Sequence, residues 1–168
     1  PSWQKPAEPL RGSGRGTGQG MPHHHERRAL PYSAAQMYDL VVDVRRYREF
    51  LPWVAAVRIR SETEHETLAD LVVGFKNLRE TFSSRVLKTP KVKVEVDYLD
   101  GPMRHLHNQW LFEETADGCI VDFTVDFSFH NRIFEALAGQ FFDHALRKMT
   151  DAFIERAEAL YGADGKSS

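Results

Sequence analysis

Glu80 makes the strongest claim to chemistry in this chain of 168 residues. It stands two residues before Phe82 and four before Ser84 in an alternating run, so strict period two puts its carboxylate beside an aromatic ring. An ionised carboxylate in an apolar enclosure is costly unless it is paired, and otherwise its pKa climbs toward neutrality. Two readings follow. Glu80 is either a strand-end carboxylate that reaches water or an arginine, or a cavity-lining group that orients the polar head of a ligand. A one-residue slip after the turn at Lys76 and Asn77 would send it to the other face. Asn108, between Leu106 and Trp110, is the second polar outlier on an apolar face.

The histidines offer less. His23, His24 and His25 are consecutive, and successive strand residues point to opposite faces, so they make a poor chelate. His105 and His107 share a face with Gln109, a geometry for two imidazole ligands that lacks an acidic third at ligand spacing. His130 and His144 could act as acid and base only with partners the spacing does not supply. There is no glycine-rich phosphate loop, no nucleophile elbow, no zinc-protease helix and no cysteine with an obvious histidine partner. No catalytic residue and no metal site are assigned. Arg79, Arg85, Lys91 and Lys93 fall on outward strand faces, where solvation is ordinary and contact with anionic lipid or RNA is the sharper reading. Apolar walls with few polar groups describe a carrier better than an enzyme.

Those walls need elements to hold them. From Cys119 the chain alternates through Phe129, with Cys119, Val121, Phe123, Val125, Phe127 and Phe129 on one face and Asp122, Thr124, Asp126, Ser128 and His130 on the other. The period then changes to helical. Ile133, Phe134, Leu137, Phe141, Phe142, Leu146, Met149 and Phe153 form a wide stripe that must lie across something apolar, and the preceding sheet is the natural partner. This helix is predicted over about Arg132 to Leu160, with Gly139 a point of kinking or close approach. Ile133, Phe134 and Leu137 beside it suggest a flexible end that touches lipid. Upstream, an extended segment from His24 to Leu30 precedes a helix that Ser33 caps, with Met37, Leu40 and Val41 on one face, and a short helix near Val44 to Phe50. Five alternating runs follow from Trp53. Their apolar sets are Trp53, Ala55, Val57 and Ile59; Ala69, Leu71, Val73 and Phe75; Leu78, Phe82 and Val86; Val92, Val94, Val96 and Tyr98; and Leu106, Trp110 and Phe112. Turns are read at Thr89-Pro90, Asp100-Gly101-Pro102 and Asp117-Gly118.

Composition bounds the rest. A hydrophobic fraction of 42% and a net charge of −2 suit one globular domain with no general basic field for nucleic acid. The lone Cys119 excludes an internal disulfide and multi-thiolate metal binding, and it favours a reducing compartment. No run of about 18 apolar residues is present to span a bilayer. Residues 1–20 hold three prolines and five glycines and read as a disordered tail. Met21 is a plausible start of a domain over 21–162, with a disordered C-terminus at 163–168. A bacterial cytoplasm is favoured over a mitochondrion, because the tail lacks an amphipathic arginine helix.

Four stretches in order resemble the coenzyme Q-binding START-domain family, within the polyketide cyclase/dehydrase-like superfamily. They are Tyr47-Arg48-Glu49-Phe50-Leu51-Pro52-Trp53; Val73-Gly74-Phe75 through Glu80, Phe82, Ser84 and Val86; Asp100-Gly101-Pro102 with Leu106, Trp110 and Phe112; and Cys119-x-Val121-x-Phe123 leading to Ala138 through Phe142, Met149, Phe153, Arg156 and Tyr161-Gly162. The likeness covers about Pro22 to Gly162. It implies an α+β helix-grip fold of the START and birch-pollen-allergen kind, a curved antiparallel sheet around a long C-terminal helix. Between them would run a tunnel for ubiquinone or a related polyprenyl lipid, bound as ligand in support of respiration without any cofactor. Carried over by position, the tunnel residues are Phe75, Phe82, Trp110, Phe123, Phe127, Phe142 and Met149, with Glu80 as the polar member. Tyr47, Phe50, Pro52 and Trp53 would shape the mouth. The resemblance implies transient contact with the inner-membrane surface, or alternatively the matrix side of the mitochondrial inner membrane. Two other functions stay open: ribosomal-subunit binding, as in the ribosome association toxin among bacterial relatives, and polyketide cyclase-like catalysis.

Overall fold

The computed structural model describes residues 23–75, 78–130 and 132–166, without the side chains of 75, 78, 132–142 and 163–166. The expected tail at 1–20 lies outside the described residues. Strand β1 (His23–Leu30) leads into helix α1 (Ala34–Val42), a 3-10 turn (Val44–Arg46) and the single-turn helix α2 (Tyr47–Phe50). Six strands follow: β2 (Val54–Glu62), β3 (Glu66–Phe75), β4 (Leu78–Thr89), β5 (Lys93–Asp100), β6 (Met103–Thr115) and β7 (Gly118–Phe129). Helix α3 (Arg132–Lys166) closes the chain. Ser33 caps α1 as its sequence requires: its hydroxyl accepts from Gln36 N–H at 3.0 Å, and the Gln36 side chain accepts from Ser33 N–H at 2.9 Å.

All seven strands form one antiparallel sheet in the order β1-β7-β6-β5-β4-β3-β2. Consecutive hairpins lay β2 to β7 side by side, and β1 returns to pair with β7, Leu30 opposite Cys119 and His24 opposite Val125. The inner face of β7 is dry as the alternation demands, with Phe127 fully buried and Phe123 and Val125 each 3% exposed. Burial of such side chains contributes about 1.5–3 kcal/mol each. Against this face pack Met37, Leu40 and Val41 of α1 and Leu146, Phe153, Ile154 and Ala157 of α3. At 35 residues α3 is about 52 Å long and runs beyond Leu160.

Some expectations need correction. Val92 is 52% exposed because it belongs to the turn before β5 and not to its inner row. Ser128, assigned to the wet face of β7, is buried. The first run begins at Val54 rather than Trp53, with a register shift between Val54 and Ala56 that buries Val54 as well.

The β6–β7 turn depends on one glycine. Gly118 has φ of +153°, and a Cβ there would stand 2.0 Å from the Leu30 carbonyl oxygen, where β1 leaves the sheet. Gly118→Ala is expected to destabilise the fold by about 2–3 kcal/mol through backbone strain, read as a lower denaturant midpoint.

Candidate functional site

Leu30 is buried, and strand parity therefore turns Arg28, Glu26 and His24 toward the same interior. These three charged or polar side chains lie beneath α3. His24 is 6% exposed and places both ring nitrogens against carboxylates, Nε2 at 2.9 Å from Glu26 Oε1 and Nδ1 at 3.0 Å from Asp143 Oδ1. Two N–H donors on one imidazole require the protonated ring. Glu26 Oε2 lies 3.5 Å from Arg28 Nη2, and Arg28 in turn reaches Asp151 of α3 at 3.6 Å. Asp143 and Asp151 are two helical turns apart and outward enough to stay wet, so β1 meets α3 through ion pairs.

Burial pushes the His24 ring down, but hydrogen bonds and charge from Glu26 and Asp143 outweigh it and leave the pKa above the ordinary 6.5. Burial likewise pushes Glu26 up, and it is overcome by His24, Arg28 and Thr150, which hold the carboxyl below its ordinary 4.5. The signs differ in consequence. The raised His24 contributes stability that is complete below pH 6.5 and is lost as pH rises through its folded value. The lowered Glu26 contributes stability present above pH 4.5 and lost as pH falls through its folded value. His24→Gln is expected to flatten the alkaline side of a melting-temperature profile above pH 6.5 and, because His24 also helps hold the Glu26 carboxyl low, to reduce the loss of stability on the acid side as well.

Beside this row the wall is aromatic. Trp110 meets Phe123 at 4.3 Å and Phe153 at 5.1 Å with the rings tilted, and Phe153 meets Tyr47 at 5.3 Å and Phe50 at 5.1 Å edge to face. The rings form one column from α2 to the sheet. Next to it lies a cavity of about 10 Å³ bordered by Glu26, Arg28, Trp110, Phe123, Thr150 and Phe153, room for a single water.

Of the residues expected in the tunnel, Trp110, Phe123 and Phe127 are buried in the inner wall, and Met149 packs on the core from α3. Phe82 is half-buried farther along the sheet, edge to face with Tyr98 at 5.9 Å. The side chains of Phe75 and Phe142 lie outside those described, as do Ile133, Phe134, Leu137 and Gly139 of the expected gate. Tyr47, Phe50 and Trp53 are half-buried against the core, whereas Pro52 is exposed. Glu80 keeps the inner parity of Phe82 and Ser84 but is exposed, because it sits opposite Val73 close to the β3–β4 turn. The polar members of the enclosed wall are instead Glu26, Arg28 and Thr150. The available signal was parity: Leu30 before Pro31 marks the inner face of β1.

Asn108 is half-buried, and its Oδ1 is shut from solvent without a hydrogen bond among the described residues. The histidines on the outer face pair with carboxylates: His23 with Asp126 at 2.5 Å, His25 with Asp122 at 2.9 Å and His107 with Asp97 at 2.7 Å. Among the described residues no three His, Cys, Asp or Glu side chains are placed to hold a metal ion.

A curved seven-stranded antiparallel sheet gripped by one long C-terminal helix over an aromatic interior defines the START-like, or helix-grip, class. A START superfamily protein from Mycobacterium smegmatis superposes with a TM-score of 0.68 at 14% identity, covering 82% of this chain and 98% of that one. The chain belongs to the family described as polyketide cyclase / dehydrase and lipid transport, whose pattern matches residues 30–154. It is 36% identical over 144 residues to the ribosome association toxin RatA of Pseudomonas aeruginosa, covering 84% of this chain and all of that protein. It is 34% identical over 161 residues to the mitochondrial coenzyme Q-binding protein COQ10 homolog B of Xenopus laevis, covering 93% of this chain and 64% of that one. A Streptomyces aromatase/cyclase shares the fold, with a TM-score of 0.69 at 17% identity over 82% of this chain and 94% of that one. Among the described residues no helix is long and apolar enough to cross a membrane.

Proposed function

We propose that this protein binds and delivers ubiquinone or a related polyprenyl lipid at the surface of the bacterial inner membrane, without catalysing a reaction. The carrying observation is the aromatic column of Phe50, Tyr47, Phe153, Trp110 and Phe123 beside the half-buried Glu26 and Arg28. Flat rings of this kind suit a quinoid head, and the charged pair can fix its orientation. The identity to the coenzyme Q-binding protein from Xenopus laevis supports the same reading. Cyclase-like acid–base chemistry fits less well, because His24 spends both nitrogens on carboxylates and has none free to take a proton.

In this form the cavity is water-sized, so a ring enters only if α3 lifts from β1. That contact includes His24 with Asp143 and Arg28 with Asp151, pairs that rehydrate on separation at less cost than a packed apolar seam. The test is incubation with vesicles containing ubiquinone, re-isolation of the protein and extraction of bound lipid. About one quinone per chain is expected, and protein recovered empty would reject the reading.

A second reading, association with a ribosomal subunit, is favoured by the identity to the Pseudomonas aeruginosa toxin. The outward cations give it limited support. Arg85 and Lys93 stand 3.4 and 2.9 Å from Glu66 and Glu95, as Arg60 does 2.8 Å from Asp70, which weakens the field a ribosomal RNA would sense, whereas Arg79 and Lys91 are exposed and make no ion pair among the described residues. Co-sedimentation with subunits that falls steeply with salt would favour it over the carrier.

A further inference from the structure

His24 takes no part in holding a ligand in the reading above, yet it is buried where β1 meets α3. Its two ring nitrogens reach carboxylates on different elements, Nε2 to Glu26 of β1 itself and Nδ1 to Asp143 of α3. The two partners are unequal. The Glu26 side chain is 10% exposed and has Arg28 and Thr150 beside it as well, whereas that of Asp143 is 63% exposed. The other charges along this seam are Arg28 of β1 and, at four-residue steps along α3 from Asp143, Arg147 and Asp151. From β7 come Val125, opposite His24, and the Phe123 ring at 6.4 Å, neither of them charged.

A protonated ring donates to both carboxylates at once. A neutral ring keeps one N–H and turns a lone pair on its other partner. Loss of the donor is costlier for Glu26, which has little water to replace it, than for Asp143, which can rotate into solvent. The neutral ring therefore keeps Glu26 and lets Asp143 go, so the bond that breaks is the one between the two elements.

We infer that His24 is a proton-operated latch: protonated, it clamps α3 onto β1 through Asp143, and deprotonated, it frees this part of α3 to lift. Its purpose rests on the carrier reading, in which a ring enters only where α3 parts from β1, but the latch itself needs no ligand. Burial lowers the pKa of the ring, and pairing with Glu26 and Asp143 raises it above the ordinary 6.5. The clamp is therefore complete below pH 6.5 and is lost as pH rises through the closed-state value. Arg28 with Asp151, a pair without a histidine, stays as the fixed tie.

The latch is read first without lipid, as deuterium exchange of the α3 amides from Asp143 to Asp151 in the full chain, corrected for the intrinsic pH dependence of exchange. Protection there is expected to fall about fivefold between about pH 6 and about pH 9, the effect of one charge-assisted hydrogen bond discounted for the exposure of Asp143. In Asp143→Asn, which removes the anion but leaves His24 on Glu26, protection should start lower and change by less than about twofold over the same range. A second arm follows uptake of ubiquinone from phosphatidylcholine vesicles at the same two pH values. The unaltered chain should load about fivefold faster at the higher pH, and His24→Gln equally fast at both. Protection that stays constant with pH in the unaltered chain, or that falls as steeply in Asp143→Asn, overturns the latch whether or not the lipid binds. Ubiquinone that loads at one rate at both pH values, or more slowly at the higher, overturns its role in entry and leaves the carrier reading intact. Falling protection with no ubiquinone taken up at either pH removes the carrier reading and supports the latch alone. Asp143 lies at the surface, so its variant folds and the first arm decides even where His24→Gln does not fold.

Discussion

Glu26→Leu is expected to lower the unfolding free energy by about 3 kcal/mol and Arg28→Met by a similar amount, whereas the double variant loses no more than about 3 kcal/mol, well short of the sum, its remaining loss coming from His24 Nε2, which still goes without Glu26. The side chains are 10% and 17% exposed, so both charges have given up most of their hydration. At 3.5 Å and without a direct hydrogen bond between Oε2 and Nε, their attraction repays only part of that cost. Removing Glu26 leaves Arg28 with Asp151 alone, 3.6 Å away and itself 58% exposed. Removing Arg28 leaves Glu26 Oε2 without its cation while Oε1 keeps His24. Removing both replaces two desolvated charges by apolar volume against Trp110, Phe123 and Ile154, which line the same cavity. Denaturant midpoints at constant slope measure the three variants. A double variant that loses the sum of the single effects would mean the pair is a net stabiliser rather than a retained site. The non-additive outcome would leave ligand handling as the reason for keeping two charges beneath α3.

The pattern behind that prediction was only half legible in the chain. β7 and α3 announce themselves, because six apolar residues at period two followed by a wide stripe at helical spacing admit one arrangement, a helix laid on a sheet. Ser33 and Gln36 mark the start of α1 just as plainly. β1 does not. His24, Glu26 and Arg28 have the composition of a solvated segment, and period two among polar residues carries no free-energy signal about which side is dry. Only pairing with β7 and the weight of α3 above make that face an interior, and both are contacts distant in sequence. Glu80 shows the opposite limit. Its parity was right, but exposure depends on how far along β4 the covering helix reaches, which local spacing does not encode. Val92 shows the smaller version of the same limit, where a β-branched residue beside Pro90 and Lys91 belongs to a turn, with Lys91 at φ of +65°.

Trp110→Ala should cost about 3–5 kcal/mol of stability and at least tenfold in quinone affinity, whereas Trp110→Phe should cost little of either. The indole is 5% exposed and touches Phe123 and Phe153 at centroid distances of 4.3 and 5.1 Å, so its loss opens a hole in the centre of the ring column. That column ties α2, through Tyr47 and Phe50, to the sheet by way of Phe153 of α3. The two readouts separate two ideas about the site. If enclosed volume limits binding, the enlarged space should admit a ring more readily, and affinity should rise even as stability falls. If stacking against a rigid aromatic wall holds the head beside Glu26 and Arg28, affinity falls along with stability and phenylalanine restores both. Fluorescence cannot follow this variant through Trp110, so binding is read by lipid extraction after gel filtration. The carrier reading requires the second outcome, because a flat head oriented by one hydrogen-bonding pair needs a surface that keeps it in plane.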